Sequence, residues 1–482
     1  MSENLNICLV NDSFPPEIDG VSNAVKNYAD IISKKHGKVT VVTPNNPEAY
    51  DSVFRFPVLR YPSVDLTKLV GYYAGFPFSP EVQRKLVAEK FDLIHSHCPI
   101  TSTMLARSLR DRIGVPVVMT YHTKFDIDIA NAISVKLLQE EAKKILVQNI
   151  AACDEVWTVS RGAGENLRSL GYEGDYIVMP NGVDFPRGLV PDSLVAEVTA
   201  GYDLPENVPV FLFVGRMMWY KGIRIILDAL KTLRGAGQNF RMVFVGGGGD
   251  KKEIVAYADK LGLTDIVFFI DPIQDRNCIR AWYCRADLFL FPSTFDTNGL
   301  VVREAAACSL ASVLIAGSCA AEDVADGVSG FLIEENAESM AAKLTELCEN
   351  PEALKTVGEG ALRELYISWE EAVDNACRRY EAVIENYRAG KYARHTGLTD
   401  DLIHSIARSM EGYNRMYDWQ KKQVRELTGS YQKLRDELLE EGQRRIEDFQ
   451  DGQNRLNAEI EAKQQLLRGK LDELAKYWDR FM

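Results

Sequence analysis

In the run FLFVGRMMWYKGI, Gly215, Arg216, Lys221 and Gly222 follow an apolar strand pattern and precede a helical one. A guanidinium fork and an ammonium point charge on one strand-to-helix loop can neutralise a diphosphate, which is what a nucleotide leaving group demands. A solvated loop is the bland alternative. Further along, LFLFPSTFDTNGLVVREAAA sets Asp296 and Glu304 on either side of Asn298 and Gly299, whose amides open the next helix. Two carboxylates around such a turn suit the hydroxyls of two sugar rings while the amides face phosphate. A helix-capping Asp296 with a surface Glu304 would look the same.

Three of the six histidines, His95, His97 and His122, follow the strand-like runs FDLI and VVMT. Residues just past the carboxyl ends of strands face the ligand crevice of a doubly wound sheet, though a hydrogen-bonded strand-end histidine fits there too. No i, i+4 pair or Cys pattern joins them, so zinc is unsupported. NDSFPPEIDG, Asn11 to Gly20, lies between the first strand pattern and a helix read over Val21 to Ile32. Such a proline-braced loop, with a glycine at the helix start, lets backbone N–H groups meet phosphate or a sugar hydroxyl. It lacks GxGxxG and is no dinucleotide fingerprint. Gly246 to Gly249 allow either a close backbone approach or a flexible turn.

Placing these side chains requires two alternating α/β segments. The first carries strand runs at Asn6 to Val10, Val39 to Thr43, Asp92 to His95, Val115 to Thr120, Val156 to Val159 and Tyr176 to Met179. After a polar, proline-bearing stretch, Asn181 to Pro209, the second carries Val210 to Val214, Met242 to Val245, Val267 to Phe269, Leu288 to Phe291 and Val313 to Ile315. The fold class is therefore α/β, with two doubly wound, Rossmann-like domains, 1–185 and 186–369, each with a mainly parallel sheet. Residues 396–482 form a helical tail: Ile403, Ile406, Met410, Tyr413, Tyr417, Val424, Leu427, Tyr431, Leu434 and Leu438 keep a heptad a/d spacing that slips around Glu440 to Arg445. A homo-oligomer through residues 402–482 is expected, the alternative being a helix folded back on its own domains.

Composition bounds the rest. At 482 residues and 54.1 kDa the chain exceeds one ordinary core. With 46% hydrophobic and 26% charged residues it is globular, and a net charge of −13 disfavours nucleic acid as a partner. Nine cysteines lack CxxC pairs, and Cys8, Cys284 and Cys308 sit in apolar runs, as reduced core thiols do. No window reaches the ~18 apolar residues of a membrane span and no signal segment opens the chain. A cytoplasmic protein is expected, with any membrane contact peripheral, on the inner face.

Together these residues resemble the retaining glycosyltransferases of family 4, from Asn6 to Tyr387. The match runs in order through Gly20, Tyr121 with His122, Asn181 to Asp184, Gly215 with Arg216, Lys221 with Gly222, and Asp296 with Glu304. The resemblance implies the GT-B fold, two domains facing a central cleft, with residues 370–390 crossing back to the first domain. It implies that Arg216 and Lys221 neutralise the donor diphosphate, that Glu304 holds the ribose, and that Asp296 holds sugar hydroxyls. The amides of Asn298, Gly299 and Leu300 would lie near phosphate or sugar, beside Gly215; His122 would orient the reacting centre, and Gly20 would touch phosphate or acceptor. No cofactor and no metal are expected, the nucleotide sugar being a substrate. Three departures stand out: Asp296 for the commoner Glu, Asp19 for one of two loop glycines, and ACSLA at Ala307 to Ala311 where a glycine and a proline are usual.

The implied function is transfer of a hexose, from UDP-glucose or a similar donor, to a lipid such as diacylglycerol or to a lipid-linked glycan. DTNGL and TYHTKFD are most similar to members that glycosylate membrane lipids. Tyr72 to Phe78, with Lys68 and Arg84, and Lys136 to Lys144 are candidate membrane-contact segments. Alternatives are a soluble small-molecule or protein acceptor, and a degenerate transferase serving as a scaffold through its tail.

Overall fold

The computed structural model describes residues 5–392 apart from 18, 68–72, 126–128 and 130–135, and short helical stretches within 403–416 and 458–469. Its strands, in chain order, are β1 (Leu5–Val10), β2 (Gly37–Pro44), β3 (Val58–Tyr61), β4 (Ser63–Asp65), β5 (Tyr73–Gly75), β6 (Leu93–Ser96), β7 (Val117–Tyr121), β8 (Glu155–Thr158) and β9 (Ile177–Val178). The second set is β10 (Val210–Val214), β11 (Arg241–Val245), β12 (Val267–Ile270), β13 (Leu288–Phe291), β14 (Ser312–Ile315) and β15 (Phe331–Ile333). They form a seven-stranded sheet, β3-β2-β1-β6-β7-β8-β9, a six-stranded sheet, β12-β11-β10-β13-β14-β15, and the small pair β4-β5. Both large sheets are parallel throughout, with Leu9 opposite Val41 and His95, and Leu212 opposite Val243 and Phe289.

Central strands of unbroken apolar sequence, VFLFV in β10 and LFLF in β13, are buried along their whole length, as a parallel sheet covered on both faces requires. One face of the first sheet packs on the helices Gly20–Ile31 and Trp369–Arg388 through Leu9, Tyr28, Trp369 and Tyr380. Its other face packs on Thr101–Ile113 and Lys136–Ala151 through Met119, Leu105, Leu109 and Ile150. The late helix Trp369–Arg388 is thus part of the first sheet's core.

The sequence reading misses β3, β4, β5 and β15. β3 (VLRY, mostly half-buried) and β15 (FLI) lie at sheet edges, without the unbroken buried run of a central strand, and β4 and β5 pair only with each other. The stretch read as polar and irregular contains a helix, Asp192–Thr199, with no buried residue. Most of the heptad seam, including Tyr413, the slip at 440–445 and everything from 417 to 457, lies outside the described residues. Ile403, with Ile406 and Met410, packs on Phe78 and Met104. The first seam positions are therefore covered within this chain, and Phe78 is not free to meet a membrane. Lys68 and Tyr72 lie outside the described residues. Among those described, no helix is long and apolar enough to cross a membrane.

In each sheet the strand order reverses once, between β1 and β6 and between β10 and β13. Loops leaving the carboxyl ends of such strand pairs diverge and leave a crevice. The segments singled out from sequence leave these strands: Asn11 to Gly20 and His97 in the first sheet, Gly215 to Gly222 and Pro292 to Gly299 in the second.

Candidate active site

The second-sheet crevice depends on glycine. Gly222 has φ +75°, and a Cβ there would lie 2.0 Å from the Pro292 carbonyl oxygen. The β10 loop therefore rests on the β13 loop by backbone contact, and this places Lys221 Nζ 2.6 Å from Asp296 Oδ1. A Cβ on Gly246 would meet the Gly215 oxygen at 2.0 Å and one on Gly248 the Met217 oxygen at 2.4 Å. The glycines after β11 thus serve close approach, not a flexible turn. Asp250 accepts from the Trp219 amide at 2.9 Å, fixing the far side of the loop.

Within this frame the two cations differ. Lys221 is buried, 7% exposed, with the Tyr220, Phe291 and Phe295 rings within 6 Å of its ammonium. Arg216 is exposed, its guanidinium 5.9 Å from the Tyr220 ring, and among the described residues no carboxylate pairs with it. Asp296 also accepts from Ser293 Oγ at 2.6 Å.

Gly299, at φ +56°, begins the helix Leu300–Ala307 with no side chain capping it. Its αL conformation and its contact with Ala320, whose Cβ would lie 2.9 Å from a Cβ at 299, explain why glycine stands here. The Asn298 side chain is buried and its amide atoms have no hydrogen-bond partner. One turn along, Glu304 Oε1 lies 2.5 Å from Arg276 Nη2 and Oε2 accepts from Tyr283 Oη at 3.0 Å. Arg276 in turn stacks over Phe185 at 4.4 Å and lies 4.0 Å from Asp184. Asn181 to Asp184 is tied to the segment leading into the late helix, since Val183 N donates to Ile367 O at 3.0 Å.

The first-sheet loops behave differently. Asp19 Oδ1 accepts from the amides of Val21 and Ser22 at 2.7 Å. The amides expected to meet phosphate beside Gly20 are already capped by a carboxylate, which would repel phosphate. Gly20 itself borders open space, with nothing within 4 Å of a Cβ. Asp12 caps the helix Thr101–Ile113 from a distance, accepting from the Thr101 and Ser102 amides at 3.1 and 2.8 Å.

His95 is a core residue: its ring nitrogens meet Tyr380 Oη at 2.5 Å and Thr120 Oγ1 at 2.7 Å. His97 Nδ1 lies 3.0 Å from His122 Nε2. Burial pushes the His122 pKa down to about 3 and holds His95 and His97 well below the ordinary imidazole range. The β7 and β13 loops touch here, since Thr297 Oγ1 donates to the His122 carbonyl at 2.8 Å and Lys124 Nζ to the Thr294 carbonyl at 3.2 Å. His122 and Asp296 therefore border one region, with Lys221 behind Asp296. Sequence reasoning missed Arg276, Tyr283, Ser293 and Asp12, all positioned through contacts remote in sequence or through short polar loops that carry no periodic signal.

The chain matches the glycosyltransferase family 4 model over residues 18–187 and the glycosyl transferases group 1 model over residues 197–363. It is 28% identical to a D-inositol 3-phosphate glycosyltransferase of Segniliparus rotundus, over 76% of this chain and 85% of that protein. It is 24% identical to an alpha-monoglucosyldiacylglycerol synthase of Acholeplasma laidlawii, over 74% of this chain and 92% of that one. Anabaena HepE, solved in complex with UDP, superposes with a TM-score of 0.63 at 18% identity, covering 78% of this chain and all of that one. Matched in order along two doubly wound sheets, this chain is a glycosyltransferase of the two-domain GT-B fold, similar to the family 4 enzymes.

Proposed function

We propose that the enzyme moves a hexose, with retention of configuration, from UDP-glucose or a similar nucleotide sugar to a membrane lipid such as diacylglycerol or a lipid-linked glycan. The observation that carries the donor half is the exposed Arg216 guanidinium, without a carboxylate partner among the described residues, on the same crevice as an uncapped helix start at Leu300. A departing diphosphate needs positive potential already in place, and an arginine fork, an ammonium and helix amides supply it without a metal. Lys221 gives Asp296 one of its three donors and keeps two for phosphate oxygens. Glu304, with Arg276 on one oxygen and Tyr283 on the other, retains lone pairs for ribose hydroxyls. Asp296 and His122 hold the sugar while the acceptor hydroxyl attacks from the face the diphosphate leaves, through an oxocarbenium-like transition state. The amides of Asn298, Gly299 and Leu300, with Gly215, line the phosphate side; Gly20 borders the acceptor side.

The lipid acceptor is supported by the Acholeplasma relative, a named diacylglycerol glycolipid synthase. The Segniliparus relative, named for an inositol phosphate acceptor, favours a soluble polyol phosphate as the second reading. The remainder of the tail beyond Met410 is read as the self-association element, and the protein as a cytoplasmic one that meets the inner membrane face peripherally. Incubating the enzyme with UDP-glucose, UDP-galactose and GDP-mannose against diacylglycerol vesicles and against inositol phosphate separates these readings. Label entering the organic phase supports the lipid, label entering only the aqueous product supports the polyol, and no transfer from any donor refutes both.

A further inference from the structure

Neutral imidazole carries a single N–H, and the other nitrogen accepts. His97 and His122 are both neutral at ordinary pH because burial holds their pKa values down. One proton must therefore sit between His97 Nδ1 and His122 Nε2, 3.0 Å apart. The other nitrogen of His97, Nε2, is buried and has no hydrogen-bond partner. Its neighbour His95, with ring centroids 4.0 Å apart, has both nitrogens engaged with Tyr380 and Thr120, and Tyr28 meets His97 edge to face at 5.3 Å. Among the described residues, no hydrogen-bond acceptor meets a proton on His97 Nε2. A buried N–H left bare is rarer and costlier than a bare acceptor lone pair. The proton of His97 therefore belongs on Nδ1, where it has a partner. His122 Nε2 is then the acceptor, and the His122 proton is forced onto Nδ1, which is not among the buried unpartnered atoms.

We propose that His97 is a positioning residue that locks His122 in its Nδ1–H form, so that His122 presents a hydrogen-bond donor to a hydroxyl oxygen of the transferred sugar. The tautomer rests on the 3.0 Å contact, the bare Nε2 and the neutrality of two buried rings; its consequence rests on the reading of His122 as the donor-sugar contact. Thr297, donating to the His122 carbonyl at 2.8 Å, steadies the same residue from the second domain's loop.

The test is long-range ¹H–¹⁵N correlation on full-length protein labelled with ¹⁵N-histidine, His122 and His97 being assigned among the six histidines by the signals lost in His122→Phe and His97→Phe. His122 with a protonated Nδ1 and a bare Nε2 is the expected result; a protonated Nε2 overturns the proposal. His97→Phe keeps a planar ring but donates nothing. It should release the tautomer and raise the UDP-glucose dissociation constant roughly five- to tenfold while leaving that of UDP unchanged. His97→Gln, which can donate again, should restore much of that affinity. Unchanged UDP-glucose binding in a folded His97→Phe overturns the proposal, and the wild-type spectrum decides even if that variant fails to fold. If His122→Phe itself binds UDP-glucose normally, the sugar-contact reading falls separately, whatever the tautomer.

Discussion

Arg216→Ala and Lys221→Ala each delete one positive charge from one loop, yet the structure separates their effects. Lys221 is buried against three aromatic rings and its partner Asp296 keeps 24% side-chain exposure. Breaking a fully buried pair from one side costs about 3 to 5 kcal/mol. With Asp296 partly wet and still bonded to Ser293, the expected loss for Lys221→Ala falls to about 1 to 3 kcal/mol. Arg216, exposed and without a carboxylate partner among the described residues, should leave stability within about 0.5 kcal/mol. Turnover should drop in both, by roughly 10²- to 10³-fold, the scale of losing one preorganised donor to a developing charge. Lys221→Ala combined with Asp296→Asn should recover most of the stability and none of the turnover, since the stranded carboxylate is gone but the diphosphate still lacks its cation. Urea denaturation and initial-rate assays on the four proteins are sufficient. Arg216→Ala with normal turnover, or Lys221→Ala with normal stability, would refute the division of labour.

Gly222→Ala should destabilise by about 2 kcal/mol or more, because φ is +75° and the new Cβ would meet the Pro292 oxygen at 2.0 Å; Gly20→Ala, facing open space, should leave the melting temperature unchanged. Glu304→Gln should weaken UDP binding without unfolding the protein, since glutamine still accepts from Arg276 or Tyr283; isothermal titration reads it, and equal affinity would remove Glu304 from the ribose site. Burial holds three imidazoles, His95, His97 and His122, below their ordinary 6.5. Their unfolded forms take up protons as pH falls through 6.5 while the folded forms do not. Stability is thus full above that value and progressively lost below it; denaturation at pH 7.5 and 5.5 checks this, and an unchanged midpoint contradicts it. Truncation after Met410 should lower the oligomer size by light scattering and spare the melting temperature, whereas truncation after Gly390 should also lower the melting temperature by uncovering Phe78 and Met104.

What the sequence made legible was whatever depends on neighbours along the chain. VFLFV and LFLF announce buried parallel strands because both faces of such a strand are covered, and the glycines at 222, 246 and 248 mark loops where backbone must approach backbone. Strands β3 and β15 stayed hidden because they lie at sheet edges and are half-buried in part, so they lack the unbroken apolar run of a central strand. The partners of Glu304 stayed hidden for a different reason. Arg276 and Tyr283 lie 28 and 21 residues away on another helix, and only packing brings them to the carboxylate.

The same limit concealed the asymmetry between the two crevices. Asp19 caps its own helix, Asp12 caps one that begins 89 residues later, and Glu322 accepts from the amides of Arg161 and Gly162 at the start of Arg161–Ser169. Three helix starts of the first domain thus already hold a carboxylate, which satisfies their amides and opposes any further anion. The helix at Leu300 holds none, and the loop facing it carries Arg216 and Lys221. On the proposed reading, the donor diphosphate would be held by this positive potential on the second sheet. On the same reading, the first sheet's carboxylates and neutral histidines would leave its crevice to hydroxyl groups, and the proposed donor phosphate and acceptor alcohol would be sorted by which helix ends the chain has capped.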